Sequence, residues 1–198
     1  MDLKTAILIG PSGCGKGTQA EKLKAHIEKV DPEHPTRYFQ TGAKFREFME
    51  GDTYIQKLVK EAQTEGKLMP AFLPIIMWGE LFIESVTGDD HIICDGFPRR
   101  AEESPLLHSA FEFMGREKPA VISFELPDEV IIDRLVNGRK RFDDTPEKVT
   151  ERLAWFRRDV SLAIKFFEEH SYYNVVAING DQTPDEVHAD ILKALELE

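Results

Sequence analysis

Thr5-Ala-Ile-Leu-Ile-Gly-Pro-Ser-Gly-Cys-Gly-Lys-Gly-Thr18 is the stretch from which the rest of the chain can be read. Residues 5–9 form a short apolar run that stops at Gly10, the pattern of a strand buried on both faces. Beyond Lys16, the residues Ala20, Leu23, Ile27 and Val30 recur at helical spacing. Between strand and helix lies a glycine-rich turn. Its glycines let the backbone turn tightly and aim N–H groups at phosphate oxygens. The helix N-terminus adds its positive dipole end, and Lys16 adds a cation that reaches outer phosphates. Strand before and helix after is the context that a phosphate-binding loop requires. The loop departs from the strict pattern at Gly17, where Ser or Thr usually follows the lysine; Thr18 comes one place later. Cys14 inside the loop reads as a small residue that fits there rather than as a redox-sensitive thiol.

Working outward, strands alternate with helices. Further strands are expected at 37–40, 91–95, 120–126 and 174–178. Helices are expected at about 43–50, 53–65, 71–87 and 101–115, from Asp128 as N-cap to near Gly138, and from Thr145-Pro146 onward. The last of these carries a long stripe of Val149, Leu153, Phe156, Val160, Ile164 and Phe167. A final helix opens at Thr183-Pro-Asp-Glu186, a capping box ahead of Val187, Ile191 and Leu195. Ile55, Leu58, Val59 and Ala62 form an apolar stripe in the 53–65 segment. Phe72, Trp78 and Phe82 read as core. This alternation predicts an α/β fold, a five-stranded parallel sheet with helices on both faces. Ligands in such sheets bind beyond the carboxyl ends of the strands.

Composition narrows the function classes. The chain has 198 residues, 41% apolar and 31% charged, with a formal net charge of −11. This suits one compact domain and argues against an electrostatic nucleic-acid binder. A local cluster of Arg and Lys can still reverse the field inside a cleft. Two cysteines, Cys14 and Cys94, exclude a disulfide scaffold and a four-cysteine zinc site, and the His residues show no metal-ligand spacing. No apolar stretch is long enough to span a membrane, and no signal peptide is evident, so a cytoplasmic protein is expected. An Asn-Lys-x-Asp guanine-reading motif is absent, which speaks against a GTPase.

The chain resembles the adenylate kinase family of nucleoside-monophosphate kinases, in order and over nearly its whole length. The likeness rests on Gly10 to Gln19, on Thr41-Gly42 with Arg46, on Asp95-Gly96-Phe97-Pro98-Arg99, on Arg141-Phe-Asp143-Asp144 followed by Arg152, and on Gly180. It implies a single P-loop kinase domain over 1–198. Its core would be 1–39, 70–133 and 145–198, its monophosphate-binding lobe 40–69, and its short lid about 134–144. The implied reaction moves the γ-phosphoryl group of ATP to AMP, giving two ADP. The acceptor is already an anion, so no general base is needed, and arginines are the expected tools.

By this resemblance Lys16, Arg99, Arg139, Arg141 and Arg152 are the catalytic set. Gly13, Cys14, Gly15, Lys16, Gly17, Thr18, Arg134, Gly180 and Gln182 would bind ATP, Arg134 by stacking on adenine. Thr41, Gly42, Arg46, Lys67, Met69, Gly96, Arg99, Glu103, Arg141 and Arg152 would bind AMP. Asp95 would order Mg²⁺ through water, the ion arriving with ATP. No zinc, nucleic acid or membrane partner is implied, and a monomer is the family default.

The chain departs from the family in three places. The lid is short, with no zinc-type insert. Ala43 stands where an Asp is usual. Glu103 stands where adenylate kinases usually carry the Gln that donates to N1 of AMP and accepts from its 6-amino group. An ionised Glu accepts but does not donate, so GMP is a competing acceptor. CMP or UMP is a more distant one. Asp143 and Asp144 suit a hinge or lid-closing role better than a pair of catalytic carboxylates. A nucleotide-binding regulatory protein without transfer would be expected to lack phosphate-clamp residues, and a P-loop kinase of a metabolite alcohol would need a general base.

Overall fold

The computed structural model describes residues 2–141 and 144–198. Its centre is a five-stranded, all-parallel sheet in the order β2-β3-β1-β4-β5. The strands are β1 (Thr5–Ile9), β2 (Thr36–Gln40), β3 (His91–Asp95), β4 (Ala120–Glu125) and β5 (Asn174–Asn179). The helices are α1 (Lys16–Val30), α2 (Thr41–Phe48), α3 (Tyr54–Thr64), α4 (Phe72–Ser85), α5 (Glu103–Phe113), α6 (Asp128–Asp133), α7 (Pro146–Trp155), α8 (Ser161–Glu168) and α9 (Pro184–Ala194).

The apolar run of β1 is buried throughout because its alternate side chains enter two different cores. Ala6 and Leu8 pack with Leu23 and Ile27 of α1 and with Val187 and Ile191 of α9. Ile7 and Ile9 face the other way, toward Trp78 and Phe82 of α4, Leu107 and Phe111 of α5, and Phe167 of α8. A third cluster, Ile131, Leu135, Val149 and Leu153, joins α6 to α7 beside the sheet. Register matters for the site: Leu8 and Gln40 both lie beside Asp95, so the carboxyl ends of β1, β2 and β3 reach one level.

Several local expectations need correction. The helix expected from 43 begins at Thr41, directly after β2. Asp128 is the first residue inside α6, and Pro127 holds the cap position. α6 continues into a π-helical turn, Arg134–Arg139, that carries the chain to the end of its expected span. The long helix from Pro146 is interrupted by a second π-helical turn, Phe156–Val160, before α8. Of the expected stripe, Val149, Leu153, Val160 and Phe167 are fully buried, while Phe156 and Ile164 are only partly buried. In α3 only Val59 is fully buried, while Ile55 and Leu58 stay exposed, because the helix packs through one edge of its stripe. Trp78 and Phe82 are core as expected, but Phe72, in the first turn of α4, is exposed.

The capping box at Thr183 is present: Thr183 Oγ1 accepts from Glu186 N, and the Glu186 carboxylate accepts from Thr183 N. Thr183→Ala removes that cap at the start of α9 and is expected to lower stability by about 1 kcal/mol, read as a shift in the urea midpoint at unchanged slope.

Candidate active site

The loop after β1 is shaped by backbone that only glycine adopts freely. Gly13 and Gly15 have φ of 88° and 96°, and Gly15 is the residue from which α1 starts. At Gly10 the constraint is space: a Cβ there would lie 2.7 Å from Cys14 Sγ and 2.8 Å from Phe124 Cβ. Cys14 is thus a buried packing residue beneath the loop, in keeping with its reading as a small residue that fits. Lys16 Nζ donates to the carbonyls of Gly10 (2.7 Å) and Pro11 (2.9 Å). The ammonium is folded over the loop, at the mouth of the cradle.

This loop forms one wall of a cleft of about 510 Å³ at the carboxyl end of the sheet. Lys16, Gly17, Thr18, Thr41, Arg46, Asp95, Arg99, Glu103, Arg134, Arg139, Arg141 and Arg152 all line it. On a chain of net charge −11 the cleft gathers cations from five separate segments, the arrangement that focuses a positive field on an anionic ligand.

Asp95 ends β3 under the loop. Its Oδ2 accepts from Tyr38 Oη (2.9 Å) and Gln40 Nε2 (3.1 Å). Burial and the Asp95 charge together push the Tyr38 phenol well above its usual range, so it stays a donor. After β3 the chain turns at Gly96, with φ 83°, and through a cis Phe97–Pro98 peptide. Arg99 Nε donates to Gly96 O at 2.6 Å, and Thr41 Oγ1 donates to the same carbonyl at 3.2 Å. The Arg99 guanidinium lies 6.0 Å from the centre of the Trp155 ring. Burial lowers its pKa, opposed by the charges of Asp95 and Glu103. Arg46 lies on the exposed face of α2, its Nη2 3.5 Å from Gln40 Oε1.

The side of the cleft beyond Arg134 is organised by Asp144. Its carboxylate accepts from Arg139 Nε (2.9 Å), Arg139 Nη2 (2.7 Å), Arg152 Nη2 (2.8 Å) and the backbone N–H of Arg141 (3.0 Å). Burial alone would raise this carboxyl; the bonds from Arg139 and Arg152 overcome it and hold it well below the usual carboxylate range. Arg139 also reaches Ser12 Oγ at 3.3 Å, so the segment expected as the lid touches the phosphate loop. Asp144 is therefore a hub for arginines. Asp143, its expected neighbour in the hinge, lies outside the described residues.

Other expected residues fall around this centre. Arg134 Nη2 donates to Gly180 O at 3.1 Å, which brings together the two residues expected beside adenine. Gln182 Nε2 is turned away, toward Asn179 O and Asp190 Oδ2. Gly42 follows Thr41 in α2, where a Cβ would touch Arg46 Nη1 at 3.5 Å. Lys67 lines the cleft, and its Nζ pairs with Glu65 at 2.5 Å in a largely exposed position. Met69 lines the cleft, and its carbonyl accepts from Arg100 Nε at 2.8 Å.

The sequence reading missed this role of Arg100, which also donates to Leu68 O. It missed Trp155 as well, whose Nε1 donates to Gly66 O at 3.1 Å. These side chains fasten the 66–69 segment to the Arg99 turn and to α7.

At the opposite end of the sheet, Asp31, His34 and His91 converge, a trio that chain spacing did not suggest. The backbone N–H of Lys4 donates to His91 Nδ1 at 2.9 Å, so Nε2 carries the proton and donates to Asp31 Oδ2 at 3.2 Å. That nitrogen has no lone pair for a cation, and the trio ties α1 to β3. Among the described residues no helix is long and apolar enough to cross a membrane.

Comparison with known proteins agrees with this geometry. A family model described as adenylate kinase matches residues 8–172. The chain is 33% identical over 191 residues to an adenylate kinase of Mycobacterium leprae (strain Br4923), covering 96% of this chain and 97% of that protein. It is 31% identical over 194 residues to an adenylate kinase of Mycobacterium tuberculosis (strain ATCC 25618 / H37Rv), with 96% and 97% covered. Adenylate kinase 1 of Nostoc sp. is 29% identical over 189 residues, with the same coverage. A phosphate loop facing a cleft of arginines, on a parallel sheet of this order, thus has a family to go with it: the chain belongs to the adenylate kinase family of ATP-dependent nucleoside-monophosphate kinases.

Proposed function

We propose that the 510 Å³ cleft carries out the family reaction, ATP + AMP = 2 ADP, with MgATP on the phosphate-loop side and AMP between α2 and the Arg99 turn. The observation that carries this reading is the convergence of Lys16, Arg46, Arg99, Arg141 and Arg152 on one cleft of an acidic chain. Transfer between two phosphates needs charge neutralisation and alignment rather than a base, and this is what guanidinium forks and a lysine supply.

In this reading the backbone N–H groups at the start of α1 hold the ATP phosphates, and Lys16 leaves the carbonyls of Gly10 and Pro11 to meet the outer ones. Arg134 and Gly180 flank the adenine of ATP. Arg46 and Arg99 hold the acceptor phosphate, while Arg139, Arg141 and Arg152 surround the transferring group. Asp95 is a hard oxygen donor, oriented by Tyr38 and Gln40, and suits water on the Mg²⁺ of MgATP. Residues 40–69 act as the acceptor lobe and 134–144 as the lid. The protein works as a cytoplasmic monomer.

A coupled ATP-consumption assay with AMP, GMP, CMP and UMP side by side, with and without Mg²⁺, tests the proposal. Mg²⁺-dependent turnover that is fastest with AMP at neutral pH supports it. ATP binding without transfer to any monophosphate overturns it in favour of a regulatory nucleotide-binding protein.

A further inference from the structure

Glu103 is a buried carboxyl of the cleft that phosphate chemistry does not use. It opens α5 and lines the cleft, with the residue only 1% exposed. Its Oε1 accepts the backbone N–H of Arg99 at 3.3 Å. Its Oε2 is buried and has no hydrogen-bond partner among the described residues. A buried carboxyl oxygen without a partner is costly unless a ligand supplies one.

The chemistry of that partner depends on a single proton. With Oε2 protonated, the side chain offers one donor and one acceptor, the hydrogen-bonding edge of an amide. That edge matches adenine, which presents the N1 acceptor beside the 6-amino donor. With both oxygens ionised, the side chain only accepts. It then matches guanine, which presents N1–H beside the 2-amino group.

We propose that Glu103 reads the acceptor base through its own protonation state, taking adenine as the acid and guanine as the carboxylate. The inference rests on the reading of this cleft as the acceptor site. Binding of AMP then takes up a proton wherever the free site is ionised, and binding of GMP releases one wherever it is protonated.

The surroundings allow both states near neutrality. Burial pushes the Glu103 carboxyl up to about 7, against the backbone N–H groups and the charges of Arg99 and Arg100 in the turn before α5. Asp95 of β3 and Arg152 of α7 lie within electrostatic reach of Arg99, and Asp159 of the second π-helical turn within reach of Arg100. From α8, the contact with this end of α5 is the carbonyl of Ala163, which accepts from Ser104, so it adds no charge.

The test is the ratio of kcat/KM for AMP to that for GMP, from about pH 6 to about pH 8.5. Titration of the acceptor phosphate is common to both substrates and cancels in the ratio. In the wild type the ratio is expected to fall roughly tenfold or more as pH rises, with the change in KM rather than kcat. In Glu103→Gln, which keeps the amide edge at every pH, the ratio stays high and level. A level ratio in the wild type, or the same slope in Glu103→Gln, overturns the inference while leaving the kinase reading intact.

A second readout does without turnover. Calorimetric titration in two buffers of different ionisation enthalpy counts protons exchanged on binding. At slightly alkaline pH the wild type is expected to take up more protons with AMP than with GMP, and equal counts overturn the inference. Failure to phosphorylate any monophosphate would sink the kinase reading, and this proton difference would still decide the role of Glu103.

Discussion

Exchanging Arg152 for lysine is expected to lower kcat about a thousandfold while the protein stays folded. Arg152 stands on α7 with its side chain 13% exposed, lines the cleft, and donates through Nη2 to Asp144. Lysine keeps the positive charge, so the buried Asp144 carboxylate retains a counter-ion and the fold retains its lid hub. What lysine lacks is the planar fork that binds two oxygens of a migrating phosphoryl group at once. The deficit belongs to the transition state, where charge spreads over the equatorial oxygens. It should therefore appear in kcat, with KM for ATP and AMP changed less than about tenfold. Steady-state kinetics with each substrate varied, together with a thermal melt, separates this from unfolding. A kcat within about tenfold of the wild type, in a folded variant, removes Arg152 from the reacting centre.

Legibility of the molecule from its residues followed the range of the interactions. β1, the phosphate loop and α1 could be read because strand burial, glycine backbone and helical spacing are local and agree with one another. The capping box of α9 could be read for the same reason. The sheet order placed Gln40, Asp95 and the phosphate loop at one level, where ligands of parallel sheets were expected.

What could not be read was the pairing of side chains far apart in the chain. Nothing local distinguishes Arg100 from a surface arginine, yet it holds the carbonyls of Leu68 and Met69. Gln182, which the resemblance implied for the ATP site, donates through Nε2 to Asp190 Oδ2 of α9, another bond that the chain alone does not reveal. Asp144 was half legible. Its place between Arg141 and Arg152 suggested a hydrogen-bonding role, but the convergence of Arg139 and Arg152 on one carboxylate is a property of the folded chain.

That convergence makes Asp144→Ala the other variant with a large expected effect. The Asp144 side chain is wholly buried, while those of Arg139 and Arg152 are 28% and 13% exposed. Removing the carboxylate leaves two guanidinium groups facing each other in a half-buried site, and breaking such a pair costs about 3–5 kcal/mol. For a chain of this size that corresponds to a fall in melting temperature on the order of 10 °C. The pH dependence has a definite sign. A folded-state carboxyl held below its unfolded value contributes stability above the unfolded pKa and loses it as pH falls through the folded one. The wild type should therefore lose this contribution only in strong acid, and Asp144→Ala should lack that part of the acid limb. Saturating MgATP should narrow the gap, since its phosphates provide anions to the arginines that the carboxylate otherwise neutralises. A plain structural ion pair would show the same loss with and without the nucleotide. Paired melts of the wild type and Asp144→Ala, with and without MgATP, decide between the two: a gap that closes with nucleotide identifies Asp144 as the anion that holds the lid arginines until phosphate arrives, and a constant gap confines it to the fold.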